Sequence, residues 1–223
     1  LREMIQDLTQ GTPQTTLIRY TLPMFISVVF QQLYNMADSM IAGKFAGEDA
    51  LAAVGASYPI TMIFMAVAVG SNIGCAVVIS QLFGAKQFGK LRTAVSTTLL
   101  SGLILSIVLT VAGLILTPAM MRAIQTPENI FDQGALYLRI YIAGFVFLFL
   151  YNVTTGMFNS LGDSKTPLYF LIGSSIGNII LDFVFVKIFE WGVAGVAWAT
   201  FLAQGVACVL SLLGFRKRIG EIQ

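Results

Sequence analysis

The sequence predicts an all-α integral membrane protein, folded as a bundle of six transmembrane helices. Charged residues make up only 11% of the 223 residues and hydrophobic residues make up 57%, whereas a soluble domain carries about 25% charged residues. Six long apolar runs follow one another, and a helix needs about 20 such residues to cross a bilayer. Runs this long and this uniformly apolar do not fit the short alternating strands of a membrane barrel.

Polar, turn-like segments separate the six runs and define their order along the chain. We expect the spans at residues 17–41, 50–83, 94–116, 130–159, 167–189 and 193–215. Residues 1–16 precede this six-helix unit of residues 17–215, and their apolar residues recur at helical spacing, which predicts an amphipathic segment on the cytoplasmic membrane surface. Residues 216–223 begin with Arg216-Lys217-Arg218, which indicates a basic cytoplasmic tail or the start of a linker.

The distribution of lysine and arginine predicts the orientation in the membrane. With a cytoplasmic N-terminus, nine of the thirteen basic residues fall on the inner side and four on the outer side. Cytoplasmic loops carry the excess of lysine and arginine. We therefore expect a multi-pass protein of the cell (inner) membrane with both termini in the cytoplasm.

Two acidic residues, Asp38 and Asp182, fall inside predicted spans, while the other nine lie in loops or at helix ends. A carboxylate within a span costs at least ~2.5 kcal/mol, so it usually faces a protein interior and has a function. Asp38 lies toward the outer end of the first span, and Asp182 lies ~22 Å along the fifth. Both spans run outward, so the two acids are expected at similar depth and could share one cavity if their helices are neighbours.

Polar residues accompany both acids at helical spacing. Carboxylate, amide and hydroxyl oxygens suit a small cation, and a buried carboxyl group can instead hold a proton because burial disfavours its charged form. The sequence therefore predicts a coupling-ion site for Na⁺ or H⁺, with polar groups that could also simply join helices. The accompanying residues are Gln31, Tyr34 and Asn35 on the first helix, Asn178 on the fifth, Thr200 on the sixth, and Asn152 and Thr155 on the fourth.

Several functional classes are disfavoured by what the sequence lacks. It contains no histidine and only two cysteines, both in apolar runs, so neither a zinc site nor a nucleophile motif is evident. We expect no enzyme activity and no cofactor. The net charge of +2 does not suggest a nucleic-acid partner.

Four segments together resemble the signatures of the multidrug and toxic compound extrusion (MATE) transporters. The resemblance covers essentially the whole chain, and the combination is more specific than any one segment. The segments are residues 35–43 (NMADSMIAG), 159–167 (NSLGDSKTP), 177–182 (GNIILD) and 195–200 (GVAWAT).

The MATE resemblance implies a secondary antiporter that expels small organic cations in exchange for Na⁺ or H⁺. Family members have twelve helices in two lobes, so this chain would be the N-terminal six-helix lobe. The resemblance implies ion coupling at Asp38, Asn178, Asp182 and Thr200, where Na⁺ would be the metal, and a bending first helix at Pro23. Independently, a proline within a helix favours a kink or hinge.

The remaining alternatives concern the missing lobe and the cargo. Because the chain does not begin with Met, we expect a trimmed N-terminal lobe whose partner is a C-terminal lobe; a half-size unit that pairs with a second copy is the alternative. Membrane lipid is the expected surrounding. A flippase for lipids or lipid-linked sugars would be expected to line its cavity with cationic residues, and none falls mid-span. A non-transporting membrane scaffold would not need Asp38 or Asp182.

Overall fold

A computed structural model describes residues 13–221, and within that range every regular element is a helix. The predicted spans correspond to helices that extend beyond the apolar runs, because polar helix ends continue past the hydrocarbon layer. Two short π-helical segments, Ala42–Ala46 and Phe183–Ile188, follow α1 and α6 directly. The α-helices are α1 (Pro13–Ile41), α2 (Glu48–Gly84), α3 (Phe88–Ala123), α4 (Glu128–Ala143), α5 (Phe145–Ser160), α6 (Lys165–Asp182) and α7 (Gly192–Glu221).

Four helical stretches of the described range are long and apolar enough to cross a membrane: α2, α3, α6 with its π-helical extension, and α7. The bent pair α4 and α5 forms a fifth if it counts as one span. The remaining predicted span, α1, is not among them, since Gln31, Gln32 and Asn35 lower its hydropathy. Its 29 residues would still reach ~43 Å, beyond the ~30 Å hydrocarbon core.

The predicted fourth span is two helices that meet at an angle of 47° at Gly144. The Gly144 amide is shared between the carbonyls of Ile140 and Tyr141, both at 3.1 Å. A side chain at residue 144 would bring its Cβ within 3.0 Å of the Phe201 ring. Glycine therefore lets α7 approach the bend closely, and bends of this size need such a local cause.

Helix α5 lies at the centre of the bundle and packs against α2, α3 and α7. Phe145, Phe149 and Phe158 are fully buried there, and Phe158 meets Phe215 of α7 edge-on with ring centroids 5.1 Å apart. In contrast, α1, α2 and α3 expose many large apolar side chains. A surface this apolar fits lipid or another membrane subunit better than water.

One end of the bundle is fastened by hydrogen bonds among α1, the α5–α6 loop and α7. The Tyr20 hydroxyl donates to the Asn159 carbonyl at 2.8 Å, and the Ser164 hydroxyl donates to the Tyr20 carbonyl at 3.0 Å. Arg218 and Asp163 form a buried ion pair at 2.5 Å. Asp163 also accepts hydrogen bonds from the amide and hydroxyl of Thr166, at 3.0 and 2.7 Å.

Helix α7 continues through residues 216–221, and Arg218 in this stretch is buried against Asp163. The basic tail or linker start expected at residues 216–223 stays a prediction. Residues 222–223 lie outside the described range, as does most of the predicted amphipathic segment 1–16, of which only residues 13–16 are described, as the first turn of α1.

Removing one partner of this ion pair should destabilise the protein. Asp163→Asn removes the carboxylate charge that pairs with the buried Arg218 guanidinium, which should cost about 3–5 kcal/mol. We expect a clear drop in the thermal unfolding temperature in detergent, followed by tryptophan fluorescence. The double variant Asp163→Asn/Arg218→Met should recover part of the loss, since no buried charge remains.

The exposed Asp132 of α4 provides the matched control, and Asp132→Asn should leave the unfolding temperature unchanged. If Asp163→Asn unfolded at the same temperature as the parent protein, the ion pair would not stabilise the fold.

Candidate functional site

Asp38 and Asp182 lie side by side where α1 and α6 pack together. Asp182 is fully buried and Asp38 is partly buried. Their carboxyl groups are close enough for a hydrogen bond between them if one carries a proton. The structure thus brings together the two acids that the sequence placed at matching depth on separate spans.

The matching height of the two acids follows from hydrogen bonding at the opposite end of the same helices. The Ser164 hydroxyl at the start of α6 is bound to the Tyr20 carbonyl of α1. Eighteen residues separate Tyr20 from Asp38, and eighteen separate Ser164 from Asp182. Two parallel helices that start level rise by the same ~27 Å over this distance, so the acids meet.

The site contains more buried polar atoms than the described residues can satisfy. Both carboxyl oxygens of Asp182, one of Asp38 and both amide atoms of Asn178 have no hydrogen-bond partner among them. Asn178 is 1% exposed and lies one turn from Asp182. Buried polar groups are almost always paired, so these atoms are able to bind a proton, a water or a cation.

Thr200 of α7 completes the group from the third helix. Its hydroxyl approaches the hydroxyl of Tyr34 on α1 without forming a well-directed hydrogen bond. The Tyr34 hydroxyl in turn lies within the electrostatic reach of both acids. Carboxylate, amide and hydroxyl oxygens therefore converge from α1, α6 and α7, which is a donor set suited to a hard cation such as Na⁺.

Tyr137 of α4 also belongs to this site, and it was not among the residues predicted from the sequence. It is 8% exposed, lies within electrostatic reach of both acids, and stacks on Tyr141 with ring centroids 6.3 Å apart. The signal was present in the sequence as two tyrosines four residues apart on one helix face. Its relevance depended on the bend at Gly144, which sets the direction of α4.

A small polar cavity of about 20 Å³ adjoins Asn178 and extends the site along α6 and α7. Its volume suits a single water molecule. Tyr151, Ser174, Ser175 and Gln204 were not among the site residues predicted from the sequence. The polar lining consists of Gln31, Tyr34, Tyr151, Ser174, Ser175, Asn178 and Gln204.

Three residues predicted to line the polar cavity make contacts elsewhere and not with the acid pair. Asn35 is exposed and bonds to Gln32 of its own helix at 3.2 Å. Asn152 donates to the Leu148 carbonyl at 2.8 Å, so its amide is engaged within α5. Thr155 lies near the Tyr151 hydroxyl, and its own hydroxyl has no well-formed bond among the described residues.

Pro23, the predicted hinge, is buried within an α1 helix that continues unbroken on both sides of it. Its carbonyl accepts a hydrogen bond from the Ser27 hydroxyl at 2.9 Å. The absent amide of Pro23 leaves α1 one backbone hydrogen bond short at this point.

The two π-helical segments follow the helices that carry the acids and contact each other. They follow Asp38 by four residues and Asp182 directly, and Phe45 of one meets Phe183 of the other edge-on at 5.9 Å. The Lys187 ammonium lies 5.3 and 4.7 Å from the centroids of these two rings. Isolated π-helical turns occur frequently at functional sites because they widen a helix locally.

Comparisons with known proteins agree with this architecture. The MatE family model matches residues 23–184. A probable multidrug resistance protein of Bacillus subtilis, YoeA, is 33% identical over 92% of this chain and 45% of its own length. The chain therefore spans about half the length of the curated relatives it matches.

Two solved structures share the fold. One is described as the outward-facing conformation of a multidrug resistance MATE family transporter. Its TM-score is 0.85 and its sequence identity is 28%, and the match covers 90% of this chain and 44% of the length of that structure. A Pyrococcus furiosus transporter of the MOP superfamily, whose binding pocket is described as reversed in polarity with a suggested different function, has a TM-score of 0.86 at 28% identity over 92% and 45%.

The family model covers more than half of the chain, and a relative above 30% identity matches nearly all of it. The fold is the corresponding half of longer transporters. This protein belongs to the MATE family of membrane transporters.

Proposed function

We propose that this chain forms the ion-coupling lobe of an antiporter that exports small organic cations in exchange for Na⁺ or H⁺. The observation that supports the proposal is the pair formed by the partly buried Asp38 and the fully buried Asp182, in which one oxygen of Asp38 and both oxygens of Asp182 lack donors among the described residues. A cation or proton that enters this site removes charge repulsion between the two acids. Binding energy of this kind shifts a conformational equilibrium only if one state holds the ion more tightly.

The cargo proposal rests on charge and on the relatives. The neighbours of the acid pair are tyrosines, an amide and a hydroxyl, so the site has acidic and neutral character. A MATE relative is described as a probable multidrug resistance protein. Small organic cations are the proposed cargo. They would be enclosed between this lobe and the second half that longer relatives contain, because alternating access moves one repeat against the other.

Neutralising either acid should abolish coupled export. In the transporter that contains this chain, Asp38→Asn and Asp182→Asn remove the charge that the coupling ion compensates. We expect ethidium efflux from energised cells to fall at least tenfold for each variant, a loss of about 1.4 kcal/mol or more. The exposed Asp132 serves as the control, and Asp132→Asn should export at the parental rate. Normal efflux by Asp38→Asn at parental expression would favour a scaffold role and rule out ion coupling at this pair.

Thr200→Val distinguishes the two coupling ions. The substitution keeps the side-chain shape and removes an oxygen that Na⁺ would coordinate, whereas a proton shared between the two carboxyl groups does not need it. In proteoliposomes with an imposed Na⁺ gradient, we expect a Na⁺-coupled transporter to need at least tenfold more Na⁺ for half-maximal export in this variant. Unchanged export driven by a pH gradient alone would identify the proton as the coupling ion.

We propose that the protein lies in the cell membrane with the basic end of the bundle in the cytoplasm. In a variant without Cys75 and Cys208, single cysteines at residues 187 and 217 should report opposite sides. A membrane-impermeant maleimide added to intact cells should label Lys187→Cys and should label Lys217→Cys only after permeabilisation. The reverse pattern would invert the proposed orientation.

A further inference from the structure

A groove of about 580 Å³ runs between α2 and α3 on the outside of the bundle, away from the acid pair. It lies within the size range of pockets that hold small molecules. The residues that line it are Gly74, Cys75 and Val78 of α2, and Gly89, Lys90, Thr93, Ala94, Thr97 and Thr98 of α3.

The groove crosses the ends of the apolar runs of α2 and α3. The apolar run of α2 ends at residue 83, nine residues after Gly74, so Gly74 lies ~14 Å within that run. The apolar run of α3 begins at residue 94, so Lys90 precedes it and Thr98 lies ~6 Å within it. Lys90 is therefore expected at the level of the headgroups, and the groove continues from there into the hydrocarbon layer.

The two ends of the groove differ in chemistry. The deep end is formed by small side chains, and the exposed Val77 and Val78 continue its apolar surface. Lys90 lines the shallow end and is exposed, and Lys86 lies in the adjoining turn. No acidic residue is among the lining residues of the described chain. A cation at the membrane surface above an apolar channel complements a molecule with an anionic head and a hydrocarbon tail.

We propose that this groove binds one acidic phospholipid, with an acyl chain between α2 and α3 and the headgroup phosphate on Lys90. The inference depends on membrane insertion and does not depend on the transported cargo or the coupling ion. A lipid fits better than a protein segment because the groove opens on exposed apolar side chains at its deep end and reaches the headgroup level at its cationic end.

The glycines that line the groove are suitable sites for substitution, because there is space beside them for a side chain. A Cβ at Gly74 or Gly89 would meet no atom within 4 Å, so Gly74→Leu adds a side chain at the deep end and Gly89→Leu adds one at the shallow end. Gly55 of α2 is equally open and lies outside the groove, which makes Gly55→Leu the matched control. Lys86→Gln is the control for Lys90→Gln.

The test uses the transporter that contains this chain, in nanodiscs with phosphatidylcholine and a small fraction of phosphatidylglycerol that carries a diazirine in one acyl chain. Illumination followed by peptide mass spectrometry locates the labelled residues. We expect labelling of residues 74–98 in the parent protein and in Gly55→Leu, and loss of that labelling in Gly74→Leu and Gly89→Leu. Lys90→Gln should lower phosphatidylglycerol labelling by about fivefold, the effect of one lysine at the headgroup level, whereas Lys86→Gln should lower it less.

Three outcomes would overturn the inference. Equal labelling of Gly74→Leu and Gly55→Leu would mean that lipid contacts the surface without entering the groove. An equal loss of phosphatidylglycerol labelling in Lys86→Gln and Lys90→Gln would mean that the lipid responds to the overall surface charge and not to Lys90 in particular. A crosslink from a photoreactive residue at position 97 to another protein segment would show that protein covers the groove. Export activity need not change in any of these variants, so this result is separable from the antiport proposal.

Discussion

The close approach of two carboxyl groups, Asp38 and Asp182, within the membrane constrains the packing of the whole lobe. One carboxylate in a bilayer is costly, and a second beside it adds repulsion. The amide of Asn178 and the hydroxyl of Thr200 also have no hydrogen-bond partner among the described residues. Helix α1 is distant in sequence from the consecutive helices α6 and α7. The packing of these three helices holds their polar residues at one height around one point.

The two ends of these helices are held by different kinds of interaction. At the Tyr20 end, directional hydrogen bonds and the buried Arg218–Asp163 pair fix the register of α1, α6 and α7. At the acid end, the two π-helical segments contact each other through Phe45 and Phe183. Hydrogen bonds specify one alignment, whereas edge-to-face ring contacts tolerate small displacements. The bundle thus has its strictest geometry ~27 Å from the acids.

Much of the site could be predicted from single residues, because a carboxylate in an apolar run is conspicuous. Asp38 and Asp182 stood out in this way, and Asn178 and Thr200 followed from helical spacing and resemblance. Tyr137, Ser175 and Gln204 were missed, since tyrosine, serine and glutamine also occur as ordinary packing residues in membrane helices. Asn35 was assigned to the polar cavity because it lies three residues from Asp38, yet its side chain is exposed. Asn35 and Asp38 share one broad face of α1, and helical spacing alone does not show which of the two residues on that face is buried.

The helical class and the order of the spans follow from the amino-acid sequence, because long apolar runs permit only backbone-satisfied helices in lipid. Four short sequence segments indicated the family. In contrast, the bend at Gly144, the inward turn of Arg218 to Asp163 and the parallel packing of α1 and α6 became evident only in the folded protein. Hydropathy and residue spacing are local properties of one helix. The pairing of helices and the relative height of their residues depend on which helix surfaces pack together, and the sequence of one helix does not specify its neighbour.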